Sequence, residues 1–209
     1  MENSLASRLL NCIKQVQALS ETGLVYVHDE YDRERYETLL QLSYQMMSLL
    51  SGQPVEFIGD FFEKHNDYPT PKVDVRAVLI DERREILLVR ESADGRWSLP
   101  GGWGEIGFSP TEAIIKEIRE ETGLEAKVSR LLAIYDKKCH PHPPQPFYVY
   151  KLIFLCTYGG EINPCFEIQE ARWFPIDRLP PLSEDRILES QVRELYQAAT
   201  DNAGPIILD

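Results

Sequence analysis

Three glutamates near the middle of the chain have the spacing that places them together on one face of a helix. Glu117, Glu120 and Glu121 lie at positions i, i+3 and i+4. Like charges at this spacing repel, and Glu120 and Glu121 also stand near the negative end of the helix dipole. A divalent cation removes this conflict, because hard oxygen ligands suit Mg²⁺ or Mn²⁺. A solvated acidic face explains the helix alone equally well, so the flanking sequence has to decide.

The boundaries of this helix are well specified by the sequence. Ser109, Pro110 and Glu112 have the residue types of the N-cap, N1 and N3 positions of a capping box. Gly123 suits the left-handed backbone that follows a helix. The spacing therefore predicts a helix over residues 109–122, with isoleucines on the side opposite the glutamates. The loop before it, GGWGEIG, is rich in glycine, which lets the backbone approach an ion closely.

The elements around this helix alternate between strand and helix patterns. VDVRAVLID and ILLVRE flank the turn DERRE and predict a β-hairpin. Further elements are predicted as strands at RWSLP, 126–138, 147–158 and ARWFP, and as a last helix at 184–198. Mixed strands with a helix inserted after the third predict an α/β sheet covered by helices.

The first 66 residues have a different pattern. Apolar residues recur at helical spacing in two stretches, joined by TGLVYVHDEYD, and a third short helix is predicted over Glu56–Lys64. The segment DYPTPK, bracketed by prolines, is the linker candidate. We therefore expect a small all-helical domain at 1–66 and an α/β domain at 67–209.

Composition limits the function classes. The chain has 209 residues with 22 Lys and Arg against 34 Asp and Glu, a formal net charge of −12, which argues against a duplex nucleic-acid binder. It contains no apolar run of the roughly 20 residues that cross a bilayer and no secretory signal pattern, so we expect a cytoplasmic protein with no membrane partner. The four cysteines form no CxxC pair. Cys139, His140 and His142 lie in the proline-rich run CHPHPPQP, which is typical of a surface turn rather than a zinc site.

The glutamate helix and its loop together resemble a known signature. LPGGWGEIGFSPTEAIIKEIREETGL is similar to the box of the Nudix hydrolases. Counted from Gly102, the matching positions are Glu117, Ile118, Glu120, Glu121, Gly123 and Leu124. Phe108 and Lys116 stand where the family has Glu and Arg, which form a structural ion pair there. The resemblance implies the Nudix α/β/α sandwich with a mixed sheet, and the two departures put the bracing of the loop in doubt rather than the metal site.

The variant box and the N-terminal segment TGLVYVHDEYDRERYETLLQL together resemble one Nudix subfamily. Its members carry an N-terminal helical domain and hydrolyse X-linked nucleoside diphosphates such as ADP-ribose or CDP-choline. The resemblance implies a Mg²⁺- or Mn²⁺-dependent pyrophosphohydrolase that releases a nucleoside monophosphate and phospho-X, working as a homodimer. Two alternatives remain: a non-catalytic Nudix ligand sensor or regulator, and a hydrolase of nucleoside triphosphates or RNA 5′ ends.

The resemblance also implies roles for particular residues. Glu117 and Glu121 would be the principal metal ligands, Glu120 a further ligand or an orienting partner, and the Gly101 carbonyl a backbone ligand. The catalytic base varies across the family between a box glutamate and a carboxylate from a later loop. Of the two later candidates, Glu167 and Glu170, we favour Glu170 because it lies just upstream of Trp173.

Substrate contacts are predicted from residue type and position. Arg76 lies among apolar neighbours in VDVRAVL, where an inward guanidinium pairs well with phosphate, although an outward strand arginine fits the pattern equally. Trp103 offers a surface on which a base or ribose can stack. Tyr26 and Tyr31 offer similar surfaces, but for all three aromatic residues a place in the core or in an interface is favoured. For Arg90 and Arg186 a solvated position is favoured.

Overall fold

The structure, a computed structural model, divides into two compact units. The residues that it describes are 5–62, 68–163, 168–201 and 204–209. The helical unit comprises 1–71 with 144–147, and the sheet unit comprises 72–143 with 148–209. The predicted boundary between 66 and 67 falls outside the described residues and stays a prediction.

The helical unit has three helices among its described residues. These are α1 (Leu5–Tyr26), α2 (Glu30–Ser51) and α3 (Val55–Phe61). Asp29 caps α2 by accepting hydrogen bonds from the backbone N–H groups of Tyr31 and Asp32. Lys14 is buried on α1, and its Nζ donates to the carbonyl oxygens of Gln145 (3.2 Å) and Phe147 (2.6 Å).

The segment predicted to join the first two helices is mostly helical, which corrects the sequence interpretation. α1 continues through TGLVY to Tyr26. A Cβ on Gly23 would overlap the ring of Tyr36 on α2, so this glycine allows two helices to pack closely rather than forming a turn. Close packing of the helices therefore outweighs the low helix propensity of glycine.

The described residues of the sheet unit form two sheets. Its strands are β1 (Lys72–Val78), β2 (Glu85–Glu91), β3 (Trp97–Ser98), β4 (Gly101–Trp103), β5 (Glu125–Asp136), β6 (Val149–Gly159), β7 (Ile168–Pro175) and β8 (Ile207–Leu208), and its helices are α4 (Pro110–Thr122) and α5 (Glu189–Thr200). One sheet has the order β4-β1-β6-β5-β8 and the other β3-β2-β7. β1 runs parallel to β6 and antiparallel to β4, so the larger sheet is mixed.

The predicted hairpin between the first two strands is wrong for most of its length. β1 and β2 belong to different sheets and are joined at their near ends by one antiparallel bridge between Ile80 and Ile86. Five consecutive residues of β1 and four of β2 are buried, and strands with such continuous runs are covered on both sides. Alternation alone could not show that the chain leaves one sheet for the other after the turn.

Helices cover both faces of the larger sheet. α4 buries Ile114 and Ile118 against one face, as predicted, and α5 buries Val192 and Leu195 against the other. The result is the mixed α/β sandwich that the sequence indicated. Within the part of the chain that the structure describes, the helices are all too short or too polar to cross a membrane.

Candidate metal and catalytic site

α4 begins and ends where its capping residues predict. Ser109 Oγ accepts from the backbone N–H of Glu112, whose carboxylate accepts from the N–H of Ser109 at 2.8 Å, and this reciprocal pair is a capping box. Gly123 ends the helix with φ +76°. The register of the three glutamates is therefore fixed by the caps at both ends of the helix.

Glu121 faces inward and is 6% exposed. Its Oε2 accepts a hydrogen bond of 2.8 Å from the backbone N–H of Gly101. Burial raises the pKa of this carboxyl to about 8, against the opposing effect of the positive charge on Arg76. A buried carboxyl held in this way is poised to take up a cation in exchange for its proton.

Glu117 lies one turn earlier and also faces the glycine-rich segment. A Cβ on Gly102 would lie 2.8 Å from Glu117 Oε1, so the absence of a side chain at Gly102 makes room for the carboxylate. Burial raises the pKa of Glu117, and the negative charge of Glu117 in turn raises the pKa of Glu121. Two adjacent carboxyls of raised pKa, beside a backbone turn with no side chain, fit the few hard ligands that Mg²⁺ takes from a protein.

Glu120 is directed away from this pair. Its carboxylate is 42% exposed and accepts from Lys116 Nζ at 2.9 Å. Among the described residues, no three His, Cys, Asp or Glu side chains are grouped closely enough to hold an ion together. Glu117 and Glu121 are therefore the box carboxylates that lie beside Gly101 and Gly102, and the predicted roles of Gly101, Glu117, Glu120 and Glu121 as metal ligands stay predictions.

The two departures from the Nudix box have a structural explanation. Lys116 Nζ lies 3.1 Å from Glu105 Oε1 and 5.9 Å from the centre of the Phe108 ring. The ion pair and the cation–π contact connect the loop to the helix, as the Glu–Arg pair does in the family. Sequence comparison position by position missed Glu105, because the acidic partner has moved three residues along the loop.

The other predicted site residues lie in three different settings. Arg76 is buried, and its guanidinium donates to Asp74, Ser98 and the Leu99 carbonyl oxygen. Trp103 is 51% exposed beside the site, with Lys72 Nζ 5.6 Å from the ring centre. Glu170 lies on β7, in register with Arg90 on β2 and 3.4 Å from Arg172 Nη1. The roles predicted for all three stay predictions.

The remaining candidates are also located, except one. Glu167 lies outside the described residues. Arg186 Nε lies 2.9 Å from Glu91 Oε1, and Arg90 Nε donates to the Gly95 carbonyl oxygen. Tyr26 and Tyr31 are largely exposed in the helical unit.

The proline-rich turn uses its histidines for local contacts. His140 Nε2 lies 3.1 Å from the Asp209 carboxylate, and His142 Nδ1 lies 2.6 Å from the Glu184 carbonyl oxygen. These contacts occupy one ring nitrogen of each histidine with a protein oxygen.

Sequence analysis also missed a buried ionic group beside Arg76. Asp74 bonds both Arg76 and Lys151, and Lys151 is only 1% exposed. The sequence does indicate such a group. Asp74 and Arg76 stand at i and i+2 on one face of a strand, and Lys151 interrupts the apolar run of β6.

Comparison with known proteins gives the same assignment. Residues 70–196 match the NUDIX domain, and residues 7–62 match the UDP-X-like, N-terminal oligomerisation domain. The chain is 45% identical over 191 residues to a putative ADP-ribose pyrophosphatase, YjhB, of Bacillus subtilis (strain 168), covering 91% of each chain.

Two solved structures extend the comparison to three dimensions. A UDP-X diphosphatase is 38% identical with a TM-score of 0.63, covering 98% of this chain and 99% of that one. An ADP-ribose pyrophosphatase from Streptococcus suis 89-1591 is 37% identical with a TM-score of 0.61, covering 67% of this chain and all of that one. With its glutamate helix, glycine turn, mixed sandwich and N-terminal helices in place, the chain belongs to the Nudix hydrolase family.

Proposed function

We propose that this protein is a Mg²⁺- or Mn²⁺-dependent pyrophosphohydrolase that cleaves a nucleoside diphosphate linked to a further group X, such as ADP-ribose or CDP-choline. The products are a nucleoside monophosphate and phospho-X. The observation that carries the proposal is the pair formed by buried Glu121 and half-buried Glu117 against Gly101 and Gly102 at the start of β4. The names of the relatives, an ADP-ribose pyrophosphatase and a UDP-X diphosphatase, support this substrate class.

The residues divide the work as follows. Glu117, Glu121 and the Gly101 carbonyl hold the cation, and Glu120 keeps Lys116 on the outer side of the helix. A cation bound there would supply positive charge to the diphosphate oxygens and would lower the pKa of a water. Glu170 is our candidate to accept the proton of the attacking water, and Trp103 is our candidate to stack on the base or ribose.

We also propose that the protein is a homodimer formed through its helical unit. Its helices expose several leucines to solvent, at Leu5, Leu19, Leu39, Leu42 and Leu49. Exposed apolar surface of this kind marks a protein–protein contact, and the matching domain is described as an oligomerisation domain. A molar mass near twice 24.1 kDa in size-exclusion chromatography with light scattering tests this proposal.

The deciding experiment incubates the protein with a panel of nucleoside diphosphate-X compounds and either Mg²⁺ or Mn²⁺. Phosphorus NMR identifies the products, and Glu121→Gln is assayed in parallel. Nucleoside triphosphates and a 5′-triphosphorylated RNA complete the panel, because their cleavage in preference would favour the alternative substrates. Binding of a panel compound without turnover would favour the ligand sensor. The proposal fails if no diphosphate is cleaved or if Glu121→Gln retains full activity.

A further inference from the structure

A group of buried charged and polar side chains lies beside the start of β4, where β1 pairs with Gly101. We call it the Arg76 cluster, and it consists of Asp74, Arg76, Glu91, Ser98 and Lys151. Asp74, Arg76 and Lys151 are each at most 5% exposed. Burying several charges costs free energy unless each has well-placed partners, so such a cluster calls for a physical explanation beyond packing.

Arg76 is the centre of the cluster and forms hydrogen bonds with the segment just before Gly101. Its Nη1 donates to the Leu99 carbonyl oxygen at 3.0 Å and to Ser98 Oγ at 3.3 Å. On the opposite side, its Nε donates to Asp74 Oδ1 at 3.0 Å. Because a guanidinium is planar and rigid, these bonds fix the Ser98–Leu99 backbone relative to β1.

The partners of Arg76 are themselves held in place. Lys151 donates to the second carboxylate oxygen of Asp74, so Asp74 cannot turn away from the guanidinium without losing an ion pair. Ser98 Oγ donates to Glu91 Oε1 at 2.6 Å. Arg76 Nε and Nη1 therefore donate to side chains that are themselves held by other partners, as expected of a connected buried network.

The backbone that leads into Gly101 has little freedom to move independently of Arg76. Gly101 pairs with Arg76 itself in the β1–β4 register, and the Ala77 N–H donates to the Pro100 carbonyl oxygen at 2.9 Å. Gly101 has φ +136°, and a Cβ there would overlap the Val75 carbonyl oxygen. The backbone from Ser98 to Gly101 is thus held by the side chain of Arg76 at one end and by its main chain at the other.

We propose that Arg76 is a positioning residue for the metal site rather than a contact to substrate phosphate. By holding Leu99 it sets the place of the Gly101 backbone, which presents its N–H to Glu121 and its carbonyl to the cation. This inference rests on the proposed function, because it requires that Glu117, Glu121 and Gly101 bind a divalent cation. It differs from the phosphate-contact hypothesis in acting before any substrate is present.

The test measures Mn²⁺ affinity of the substrate-free protein by electron paramagnetic resonance, and kcat and KM at saturating Mn²⁺. Arg76→Gln removes the charge and two of the bonds, and Arg76→Lys keeps the charge but loses the planar fork. We expect both to weaken Mn²⁺ binding by about tenfold or more, the size of effect seen when an outer partner of a metal ligand is lost. Excess Mn²⁺ restores much of the kcat of Arg76→Lys.

Two further variants keep the test decisive. Arg130→Lys is the matched control, since Arg130 also donates to backbone carbonyls, those of Ala198 and Asp201, but outside the cluster. It should leave Mn²⁺ affinity unchanged. Ser98→Ala is the mild variant if Arg76→Gln does not fold, and we expect it to weaken Mn²⁺ binding roughly two- to tenfold through the loss of the hydrogen bonds to Arg76 and Glu91.

The outcomes separate the inference from the proposed function. Unchanged Mn²⁺ affinity in folded Arg76→Gln, or in Ser98→Ala if that variant is used instead, overturns the positioning role. If KM is raised while Mn²⁺ affinity is unchanged, Arg76 contacts substrate phosphate instead. If the wild-type protein binds no Mn²⁺ and cleaves no diphosphate, the proposed function itself has failed.

Discussion

The two sides of the acidic face of α4 differ in what balances their charge. On the inner side, Glu121 has one backbone hydrogen bond and a buried carboxyl whose pKa is raised to about 8. On the outer side, Glu120 is partly exposed and already paired with Lys116. On the inner side we expect a divalent cation to balance the negative charge, whereas on the outer side Lys116 of the protein itself balances Glu120. Three glutamates that look alike in sequence are therefore expected to differ in function.

The largest effect should follow loss of the inner carboxylate. Glu121→Gln keeps the shape of the side chain but removes its charge, and we expect kcat to fall by more than about 100-fold, because a catalytic metal supplies several kcal/mol of transition-state stabilisation. Steady-state hydrolysis of the best panel substrate measures this. An isothermal titration with Mn²⁺ should show the binding lost as well, and intact Mn²⁺ binding in this variant would remove Glu121 from the ligand set.

The outer carboxylate should matter much less. We expect Glu120→Gln to lower kcat by less than about tenfold, since it leaves the Glu117 and Glu121 pair in place and only frees Lys116. The same assay and the same titration check this. A loss as large as that of Glu121→Gln would break the comparison and identify Glu120 as a metal ligand that turns inward when the ion binds.

The pH dependence of protein stability should distinguish the inner glutamate from the outer one in the absence of substrate. A glutamate whose folded pKa is about 8 binds a proton in the folded state that the unfolded chain, with a pKa near 4.5, has already released. The stability of the metal-free protein should therefore decrease as pH rises from about 4.5 to 8, and level off above that. Thermal unfolding in the presence of a chelator, from pH 5 to 9, measures this slope. Glu121→Gln should flatten it, and Glu120→Gln should not.

The same titration predicts proton-linked metal binding. Below pH 8 the cation has to displace the proton of Glu121, so apparent Mn²⁺ affinity should rise with pH by up to about tenfold per unit. Calorimetry in two buffers of different ionisation enthalpy counts the protons released. An affinity independent of pH between 6 and 8 would show that the ion does not use Glu121.

The sequence predicted the helix that carries the three glutamates, but it did not predict which of these glutamates is buried. The capping residues Ser109 and Gly123 fixed the helix register, because caps are local interactions between neighbours in the chain. The difference between Glu120 and Glu121 depends on Gly101, twenty residues away, and such a contact leaves no periodic trace. The hairpin error has the same origin, since the pairing of β1 with β6 joins segments more than seventy residues apart.

The smallest expected effect concerns the outer side and its loop. Lys116 connects Glu105, Glu120 and the ring of Phe108, all partly exposed, and ion pairs that are open to solvent contribute little to stability. We expect Lys116→Met to lower the melting temperature by no more than a few degrees and to leave Mn²⁺ affinity nearly unchanged. The double variant Phe108→Glu with Lys116→Arg restores the family's pair, and it should match or slightly exceed the wild-type melting temperature. A large loss of Mn²⁺ affinity in Lys116→Met would mean that the outer side also positions the metal site. In that case the ion pairs on the outer side would affect cation binding on the inner side. Glu105 would then not only contact Lys116 but also take over the function of the family's glutamate.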